Sequence, residues 1–386
     1  MGNRWLTMAI FLAVVVGVMG GVHWLLWARF ARDPAWSGAW GRGLGWLFPA
    51  MFAALPLTMV LVRVAPRAVV SPLAWVAFVW MGATLYLFLS AAAISAAVPL
   101  ALKLGVVDVA RRQWLSRAFA AGAGALSLGL TGWGVARALG PWVVREVRVP
   151  IARLGLGLEG FSIVQLTDIH VGPTVDRAYI AALVARVNAL APDLVVITGD
   201  LVDGSVAELA EHVAPLAGLR AAFGTYFVTG NHEYYSGANE WMDHLETLGL
   251  RVLRNQRVNL VRGGDGFDLA GVHDLSARRT PGAEPANLAK ALEAYDPARP
   301  LVLLAHQPKQ ANEAADAGAD LVLSGHTHGG QLWPFSWLVK LDQPYLAGLH
   351  RRGKTHIYVS EGTGYWGPPM RVGTSPEITR VVLARG

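Results

Sequence analysis

The sequence of 386 residues contains no cysteine. This absence excludes disulfide bonds, thiolate metal ligands and a cysteine nucleophile, and it leaves the redox compartment undetermined. Acidic residues are scarce in the first 142 positions, where only Asp33 and Asp108 occur. Because carboxylates are missing from the apolar runs of this region, a proton or ion pathway through them has little support.

Charge is divided unevenly along the chain. Residues 1–142 contain 11 basic and 2 acidic side chains, a balance of +9, whereas residues 143–386 contain 22 basic and 25 acidic ones, a balance of −3. The net charge of +6 therefore comes from the N-terminal part. A nucleic-acid surface needs a local excess of Lys and Arg, so we expect no nucleic-acid partner for the C-terminal part.

Four long apolar stretches occupy the N-terminal part. Each is near or above the ~18–20 residues that a helix needs to cross ~30 Å of hydrocarbon. The stretches are Thr7–Trp27, Leu44–Leu61, Pro72–Leu102 and Ala118–Ala136. The first also resembles a cleaved signal peptide, but three more stretches follow it and VMGGVHW lacks a convincing cleavage pattern. We therefore predict four transmembrane helices and an integral, multi-pass protein of the cell membrane.

The orientation of these helices is poorly specified, because Lys and Arg divide equally between the two sides and the positive-inside rule then favours neither orientation. One side has Arg29, Arg32, Arg42, Lys103, Arg111, Arg112 and Arg117, and the other has Arg4, Arg63, Arg67, Arg137, Arg145, Arg148 and Arg153. An even number of spans places the N-terminus and the C-terminal part on the same side of the membrane.

From Phe161 onward, short β-rich runs alternate with helical patterns. FSIVQLTD, DLVVITGD, TYFVTGN, LVLLAHQ and DLVLSGH are apolar runs of strand length that end in polar residues. Such alternation predicts an α/β fold, and later runs such as THIYVSEG predict a second sheet stacked on the first. We expect a membrane domain at 1–142, a linker at 143–159 and a layered β-sandwich flanked by helices at 160–386.

Side chains with oxygen or imidazole groups follow five of the predicted strands. They are Asp168, His170, Asp200, Asn231, His232, His306, His326 and His328. Each one alone has an ordinary structural explanation, such as a helix cap or a turn residue. Burying the whole set together is costly unless cations organise it. Imidazole combined with carboxylate suits Mn, Fe, Zn or Co, and pairs of such ions promote phosphoryl transfer by activating water.

The ordered motifs D-x-H, G-D, G-N-H-E, H and G-H-x-H resemble those of the calcineurin-like metallophosphoesterases. They occur here as Asp168-Ile-His170, Gly199-Asp200, Gly230-Asn231-His232-Glu233, His306 and Gly325-His326-Thr327-His328. The resemblance covers about residues 160–386. It implies hydrolysis of a phosphomonoester, phosphodiester or pyrophosphate bond by attack of a metal-bound hydroxide.

The same resemblance implies a role for each matched residue. One divalent metal ion would be held by Asp168, His170 and His328, and a second by Asn231, His306 and His326. Asp200 would bridge the two ions, and His232 would be the general acid. For Glu233 the resemblance implies a position behind the ligands, where it orients His232 or a ligand, and a carboxylate at a helix start is the simpler alternative.

The stretch SGHTHGG separates its two histidines by one residue. In an extended segment this spacing directs both side chains to the same face, so we expect His326 and His328 to reach adjacent ions from one strand end. Gly325, Gly329 and Gly330 would let the backbone approach closely and turn. His273 and Asp274 follow another strand-like run, and we interpret them as a structural pair near the site.

The ending GTGYWGPPMRVGTSPEI resembles a branch that includes membrane-associated phosphoesterases and hydrolases of lipid-linked UDP-sugars. This implies that Arg371 binds a substrate phosphate as a bidentate donor, although a locally paired arginine is the alternative. The resemblance also favours the external face of the membrane.

The aromatic residues Trp333, Phe335 and Trp337 form either an apolar lip that faces lipid or a loop folded on its own core. The expected partners are a phosphorylated small-molecule or lipid-linked substrate and membrane lipid. The alternative function is a non-catalytic membrane scaffold or sensor that uses the same fold to bind a ligand.

Overall fold

The computed structural model describes residues 2–103 and 111–386, so Asp108 lies outside the described residues. The chain divides into two units. The first, which we call the helical unit, comprises Met1–Ala136 with Gly367–Met370, and the second, the sandwich unit, comprises Arg137–Trp366 with Arg371–Gly386.

The apolar N-terminal stretches are helical throughout their described length. The helices are α1 (Gly2–Trp27), α2 (Gly38–Val64), α3 (Arg67–Lys103) and α4 (Arg112–Ala138). Each is long and apolar enough to cross a membrane, with mean hydropathy between 1.3 and 1.9 over the apolar windows. Much of their apolar surface is exposed; Trp46, for example, is 75% exposed. The prediction of four long apolar helices is therefore confirmed.

Two six-stranded sheets form the sandwich unit, all of whose residues are described. One sheet consists of β1 (Val143–Ile151), β2 (Ser162–Leu166), β3 (Leu194–Thr198), β4 (Thr225–Val228), β5 (Arg251–Val252) and β12 (Glu377–Arg385), in the order β1-β12-β2-β3-β4-β5. The other consists of β6 (Gln256–Arg262), β7 (Asp265–Gly271), β8 (Leu301–Leu304), β9 (Leu321–Ser324), β10 (Gly348–Arg352) and β11 (Thr355–Val359), in the order β10-β11-β9-β8-β7-β6.

Most neighbouring strands at the centre of the sheets are parallel. Strands β2 to β5 pair in parallel, as do β7, β8, β9 and β11. Parallel pairing requires crossover connections, which are usually helical. The helices of the sandwich unit are α5 (Arg177–Asn188), α6 (Val206–Val213), α7 (Asn231–Ser236), α8 (Ala238–Thr247), α9 (Leu288–Ala291), α10 (Ala311–Asp316) and α11 (Ser336–Asp342).

The core lies between the sheets and beneath the helices. Ile163 and Val196 of one sheet pack with Leu323 of the other in a single buried cluster. On the outer face of the first sheet, Val164 packs in a second cluster with Leu183 of α5. Strands covered on both faces favour apolar residues at most positions, which explains why FSIVQL and DLVVIT are mostly apolar. The polar side chain of Gln165 is buried in β2 and donates to Oγ1 of Thr198 and to the carbonyl oxygen of Ser324. The predicted layered sandwich is confirmed.

Residues 143–159, which we expected to be a linker, are part of the sandwich unit. Nine of them form β1, which pairs in parallel with β12, and Leu156–Leu158 form a short 3₁₀ helix. Val149 and Ile151 of β1 are buried in the core between the sheets. The charged residues of VVREVRVPI alternate with apolar ones because one face of this edge strand is solvated.

We predict that Leu323→Ala destabilises the sandwich unit by about 2–5 kcal/mol, because the leucine is fully buried between the sheets and its loss leaves a cavity. Chemical denaturation of the purified protein measures the change. Leu341→Ala is the matched control, since Leu341 is 84% exposed and its truncation should alter the free energy of unfolding by about 0.5 kcal/mol or less. Equal effects of the two substitutions would contradict this description of the core.

Candidate metal centre

The eight predicted site residues lie in the segments that directly follow five strands. Asp168 and His170 follow β2, Asp200 follows β3, Asn231 and His232 follow β4, His306 follows β8, and His326 and His328 follow β9. The carboxyl ends of neighbouring parallel strands lie at the same edge of a sheet. The first three strands belong to one sheet and the last two to the other, so the residues converge where these edges of the two sheets meet.

One group of side chains consists of Asp168, His170 and His328, whose candidate ligand atoms all lie within 4.8 Å of one another. The Nε2 atoms of His170 and His328 are 3.1 Å apart. Nε2 of His328 is also 3.4 Å from Oδ1 of Asp168. These are the three residues that the family resemblance assigns to the first ion.

A second group consists of Asp200, His306 and His326, whose candidate ligand atoms also lie within 4.8 Å of one another. Nε2 of His306 is 3.1 Å from Oδ2 of Asp200 and 3.2 Å from Nδ1 of His326. Oδ1 of Asn231 lies 3.2 Å from the same His306 nitrogen. Oδ2 of Asp200 is also 3.9 Å from Nε2 of His170, so Asp200 lies between the two groups.

Hydrogen bonds fix the ring orientation of two of the histidines. Nδ1 of His306 donates to the carbonyl oxygen of Thr198 at 2.8 Å, and Nδ1 of His170 donates to Oδ1 of Asp203 at 3.1 Å. In each ring the Nε2 lone pair is then directed into its group. Such bonds from the distal nitrogen are typical of histidines that bind metal ions.

The electrostatics of the histidines also fit cations. Burial and the neighbouring His306 lower the pKa of His326 to about 3. Burial together with His170 and Arg371 lowers the pKa of His328 well below its usual range. Burial opposes protonation of His306, but the adjacent Asp200 carboxylate raises its pKa well above the usual range. His326 and His328 are therefore neutral imidazoles, whereas the Asp200 carboxylate favours a positive charge at His306. Neutral imidazoles beside carboxylates that attract positive charge suit divalent transition metals.

The turn after β9 is not the extended segment that we expected. His326 and His328 have φ angles of 71° and 50°, in the left-handed region. Because the chain turns here, His326 joins the second group and His328 the first. The reason is the Asp168 carboxylate, which accepts the backbone N–H of His326 at 2.9 Å. A Cβ atom on Gly325 would overlap this carboxylate, so the glycine permits the close approach.

Left-handed backbone recurs elsewhere in the centre, where the φ angles of Asp168, His170 and Asp200 are 54°, 55° and 50°. A non-glycine residue in a sparsely populated conformation costs about 1–3 kcal/mol and persists only when its surroundings determine it. Strained backbone therefore supports most of the predicted ligands.

Asp203 is a site residue that the sequence analysis missed. Its Oδ1 accepts hydrogen bonds from Nδ1 of His170 at 3.1 Å and from Nδ1 of His232 at 2.6 Å. Burial opposes its ionisation, but the two histidines hold its pKa below the usual range. Asp203 therefore positions a predicted ligand and the predicted acid together. Its position three residues after Asp200, in TGDLVDG, was an available signal.

His232 lies at the start of α7, partly buried beside the two groups. Its backbone N–H donates to Oδ1 of Asp200 at 2.8 Å. Burial opposes a charge on the ring, but the Asp203 hydrogen bond and the Asp200 charge raise the pKa of His232 to about 9. Since Asp203 occupies Nδ1, Nε2 is the nitrogen from which a proton can be transferred.

Glu233 combines features of its two predicted roles, because it lies at a helix start and also accepts the backbone N–H of a predicted ligand. Its carboxylate accepts the N–H of Gly230 at 2.6 Å, as expected at a helix start. It also accepts the N–H groups of Asp200 at 3.0 Å and Leu201 at 2.8 Å. Burial and the Asp200 charge raise its pKa to about 7. Glu233 thus ties two loops together, whereas Asp203 orients the His232 ring.

Arg371 is locally paired, which is the alternative that the sequence analysis gave to a phosphate-binding role. Its side chain is fully buried, and its donors bind the carbonyl oxygens of Gly362, Gly364 and His328 and the hydroxyl of Thr374. Because these bonds use its hydrogens, Arg371 supports the backbone beneath His328 and has none left for a phosphate.

The pair His273 and Asp274 has a structural role, as we interpreted it. Asp274 accepts both Ser276 N–H and the amide of Gln307, the residue after His306. Nδ1 of His273 donates to the carbonyl oxygen of Glu284.

The segment around α11 exposes its apolar side chains. Five of these side chains are between 48% and 84% exposed, and we call them the α11 surface: Trp333, Phe335, Trp337, Leu338 and Leu341. None of the residues of α11 is buried. The alternative of a loop folded on its own core is therefore wrong.

Comparisons with known proteins agree with the motifs. The profile of the calcineurin-like phosphoesterases matches residues 161–330. The chain is 42% identical over 260 residues to a transmembrane protein with metallophosphoesterase domain from Danio rerio, covering 65% of this chain and 59% of that protein. Uncharacterized metallophosphoesterases from Aquifex aeolicus and Bacillus subtilis are each 33% identical, over 62% and 71% of this chain and 91% and 98% of their own lengths.

We predict that Asp203→Asn and Asp203→Ala each weaken metal binding about 10- to 100-fold, because both remove the charged acceptor behind His170. Alanine should have the larger effect, since asparagine keeps an oxygen in place. Metal content after dialysis against graded Mn²⁺ or Zn²⁺ measures the loss. Asp243→Asn is the control, because this carboxylate is largely exposed and pairs with Arg254. Wild-type affinity in both Asp203 variants would contradict the positioning role.

Proposed function

Because the chain belongs to the calcineurin-like metallophosphoesterase family, we propose that it hydrolyses a phosphoric ester or anhydride bond with two bound divalent cations. The observation that carries this proposal is the pair of ligand groups that lie beside His232, with Asp200 in the second group and 3.9 Å from His170 of the first. The chain spans only 59% of the length of the Danio rerio relative. The proposed activity therefore rests on the site residues of this chain and not on that relative.

The proposed ligands follow the two groups. Asp168, His170 and His328 would hold one cation, and Asn231, His306 and His326 would hold the other, with Asp200 shared between them. The mixture of imidazole, carboxylate and amide oxygen suits Mn, Fe or Zn. When bound, the cations would activate water and stabilise the negative charge that develops on the phosphoryl oxygens.

The residues of the chain would then direct the proton. As the bond between phosphorus and the leaving oxygen breaks, that oxygen takes a proton from Nε2 of His232. Asp203 holds Nδ1 of the same ring, so the imidazolium keeps its orientation and its charge until the transfer. His232 regains a proton from solvent before the next turnover. The bond is a phosphomonoester, a phosphodiester or a pyrophosphate.

We further propose that the substrate is lipid-linked. Four helices long enough to cross a membrane precede the sandwich unit in the same chain. The α11 surface begins three residues after Gly330, at the end of the turn that contains His326 and His328. Exposed clustered tryptophan and leucine side chains are typical of surfaces that bind lipid or a partner. An even number of spans returns the chain to the side of its N-terminus, which we propose is the outer face.

We predict that His232→Ala lowers kcat about 10²- to 10⁴-fold and leaves the metal content unchanged. The full-length protein would be stripped and reloaded with Mn, Fe or Zn, and tested on a chromogenic monoester, a chromogenic diester and UDP-diacylglucosamine. His350→Ala is the control, because His350 lies in β10, outside both ligand groups. A fully loaded wild-type protein without turnover on any substrate would favour the non-catalytic scaffold or sensor.

We predict that the double variant Trp337→Ser/Leu341→Ser lowers hydrolysis of the lipid-linked substrate in vesicles about tenfold, because two apolar anchors are lost. Hydrolysis of the soluble chromogenic ester should stay within twofold. Leu156→Ser is the control, since Leu156 is 74% exposed and lies outside the α11 surface. Equal hydrolysis of the vesicle substrate by variant and wild type would refute the lipid role.

A further inference from the structure

Two exposed aromatic side chains lie against the ring of His232. The ring centroid of Tyr235 is 5.3 Å from that of His232, with an angle of 67° between the planes. The Trp366 ring is 5.7 Å away, with an angle of 72°. Yet Tyr235 is 72% exposed and Trp366 is 54% exposed, so each ring contacts the histidine and leaves much of its surface open.

The backbone holds both aromatic residues in place. Tyr235 follows His232 by three residues in α7, and this spacing puts the two side chains on one face of the helix. Trp366 comes from the loop after β11, and the side chain of Gln331 binds both of its backbone groups. Trp366 N–H donates to Oε1 of Gln331 at 3.0 Å, and Nε2 of Gln331 donates to the Trp366 carbonyl at 2.9 Å.

Gln331 itself continues the turn that contains His326 and His328. It has a left-handed φ of 47°, and its carbonyl oxygen accepts the N–H of Val372 at 2.8 Å. The tryptophan is therefore connected to the metal-centre turn through a short, fixed path. A loop that only covered the site would not need the N–H and the carbonyl group of Trp366 to be bound by one side chain.

Support of the His232 ring alone does not explain the two aromatic residues. The ring is already held by the 2.6 Å hydrogen bond from Nδ1 to Asp203 and by its position at the start of α7. Residues that only packed against it would bury their surfaces. Exposed aromatic surface beside a proton donor is instead available to the group that receives the proton.

We propose that Trp366 and Tyr235 bind the leaving group of the substrate, and that the preferred leaving group has a planar ring, as an aryl group or a nucleobase does. The inference rests on the proposed function, because the leaving oxygen must lie at His232 to take its proton. Stacking on aromatic side chains tolerates many ring structures. The two residues would therefore favour any planar group near the scissile phosphate, without distinguishing one nucleobase from another.

Ligand binding without turnover tests this inference. Full-length, Mn-loaded protein would be titrated by calorimetry with benzylphosphonate, which has a planar ring, and with methylphosphonate, which has the same anionic group without one. We expect Trp366→Ala to weaken binding of benzylphosphonate about tenfold and Tyr235→Ala to weaken it to a smaller extent. Binding of methylphosphonate should change less than twofold, and Trp366→Phe should retain most of the affinity.

Further variants distinguish loss of a contact with the ligand from loss of folding or of bound metal. Gln331→Leu removes both bonds to the Trp366 backbone but keeps the tryptophan, and we expect it to resemble Trp366→Ala. Val261→Ala is the control, because Val261 is 54% exposed and lies in β6. The metal content of every variant would be measured. Equal weakening of both phosphonates, or no preference for benzylphosphonate in the wild type, would overturn the inference.

The same proteins distinguish this inference from the proposed function. Binding of benzylphosphonate that depends on Trp366, without hydrolysis of any ester, would refute the proposed function and with it the leaving-group role, and would show only that Trp366 binds a planar ring. Hydrolysis of naphthyl phosphate and hexafluoroisopropyl phosphate with equal sensitivity to Trp366→Ala would support the function and overturn the inference. Trp366→Ala would also be compared on two substrates by kcat/KM. If the substitution lowers kcat/KM for nucleoside monophosphates as much as for naphthyl phosphate, nucleobases bind to the same aromatic surface.

Discussion

The buried carboxylate of Glu233 holds together the loops on which the metal centre depends. It binds the N–H groups of Gly230 in the loop after β4 and of Asp200 and Leu201 in the loop after β3. These loops approach so closely that a Cβ atom on Gly199 would overlap the backbone of Gly230. Without an internal acceptor, each of these buried donors would lose its hydrogen bond, at about 1–3 kcal/mol for each group. One side chain thereby brings the shared aspartate and the proposed acid to their positions.

Asp203 links the proposed metal ligands to the proposed proton donor. The carboxylate orients a proposed ligand, His170, and the proposed acid, His232, through a single oxygen atom. The position of the proton donor is therefore tied to the position of one of the ligand groups. Trp366 is tied to the same centre through Gln331. In the proposed reaction, the places where the phosphate, the proton and the leaving group lie would be set by hydrogen bonds within one connected network.

Much of the fold was predictable because burial on both faces leaves a strong pattern. FSIVQL, DLVVIT and DLVLS are mostly apolar, and each became a strand covered by the other sheet and by helices. Strand β1 was missed because it is an edge strand with alternating charges. The sequence left two roles open for Arg371, because it does not reveal that the donors of this side chain bind carbonyl groups. Asp203 was missed because its significance arises only from the two rings it contacts.

The sequence by itself determined the four apolar helices, the layered α/β domain and the residue types of the metal centre, because these depend on local composition and on the order of strand ends. The family resemblance had already divided the ligands between two groups, and only the tertiary structure decided the backbone geometry that separates them. His326 and His328 diverge because the turn after β9 adopts left-handed φ angles to meet Asp168, and such angles are imposed by contacts between distant segments. The exposed aromatic residues beside His232 were likewise decided by the fold, since Trp366 is 134 positions away in the chain and reaches the acid only through packing.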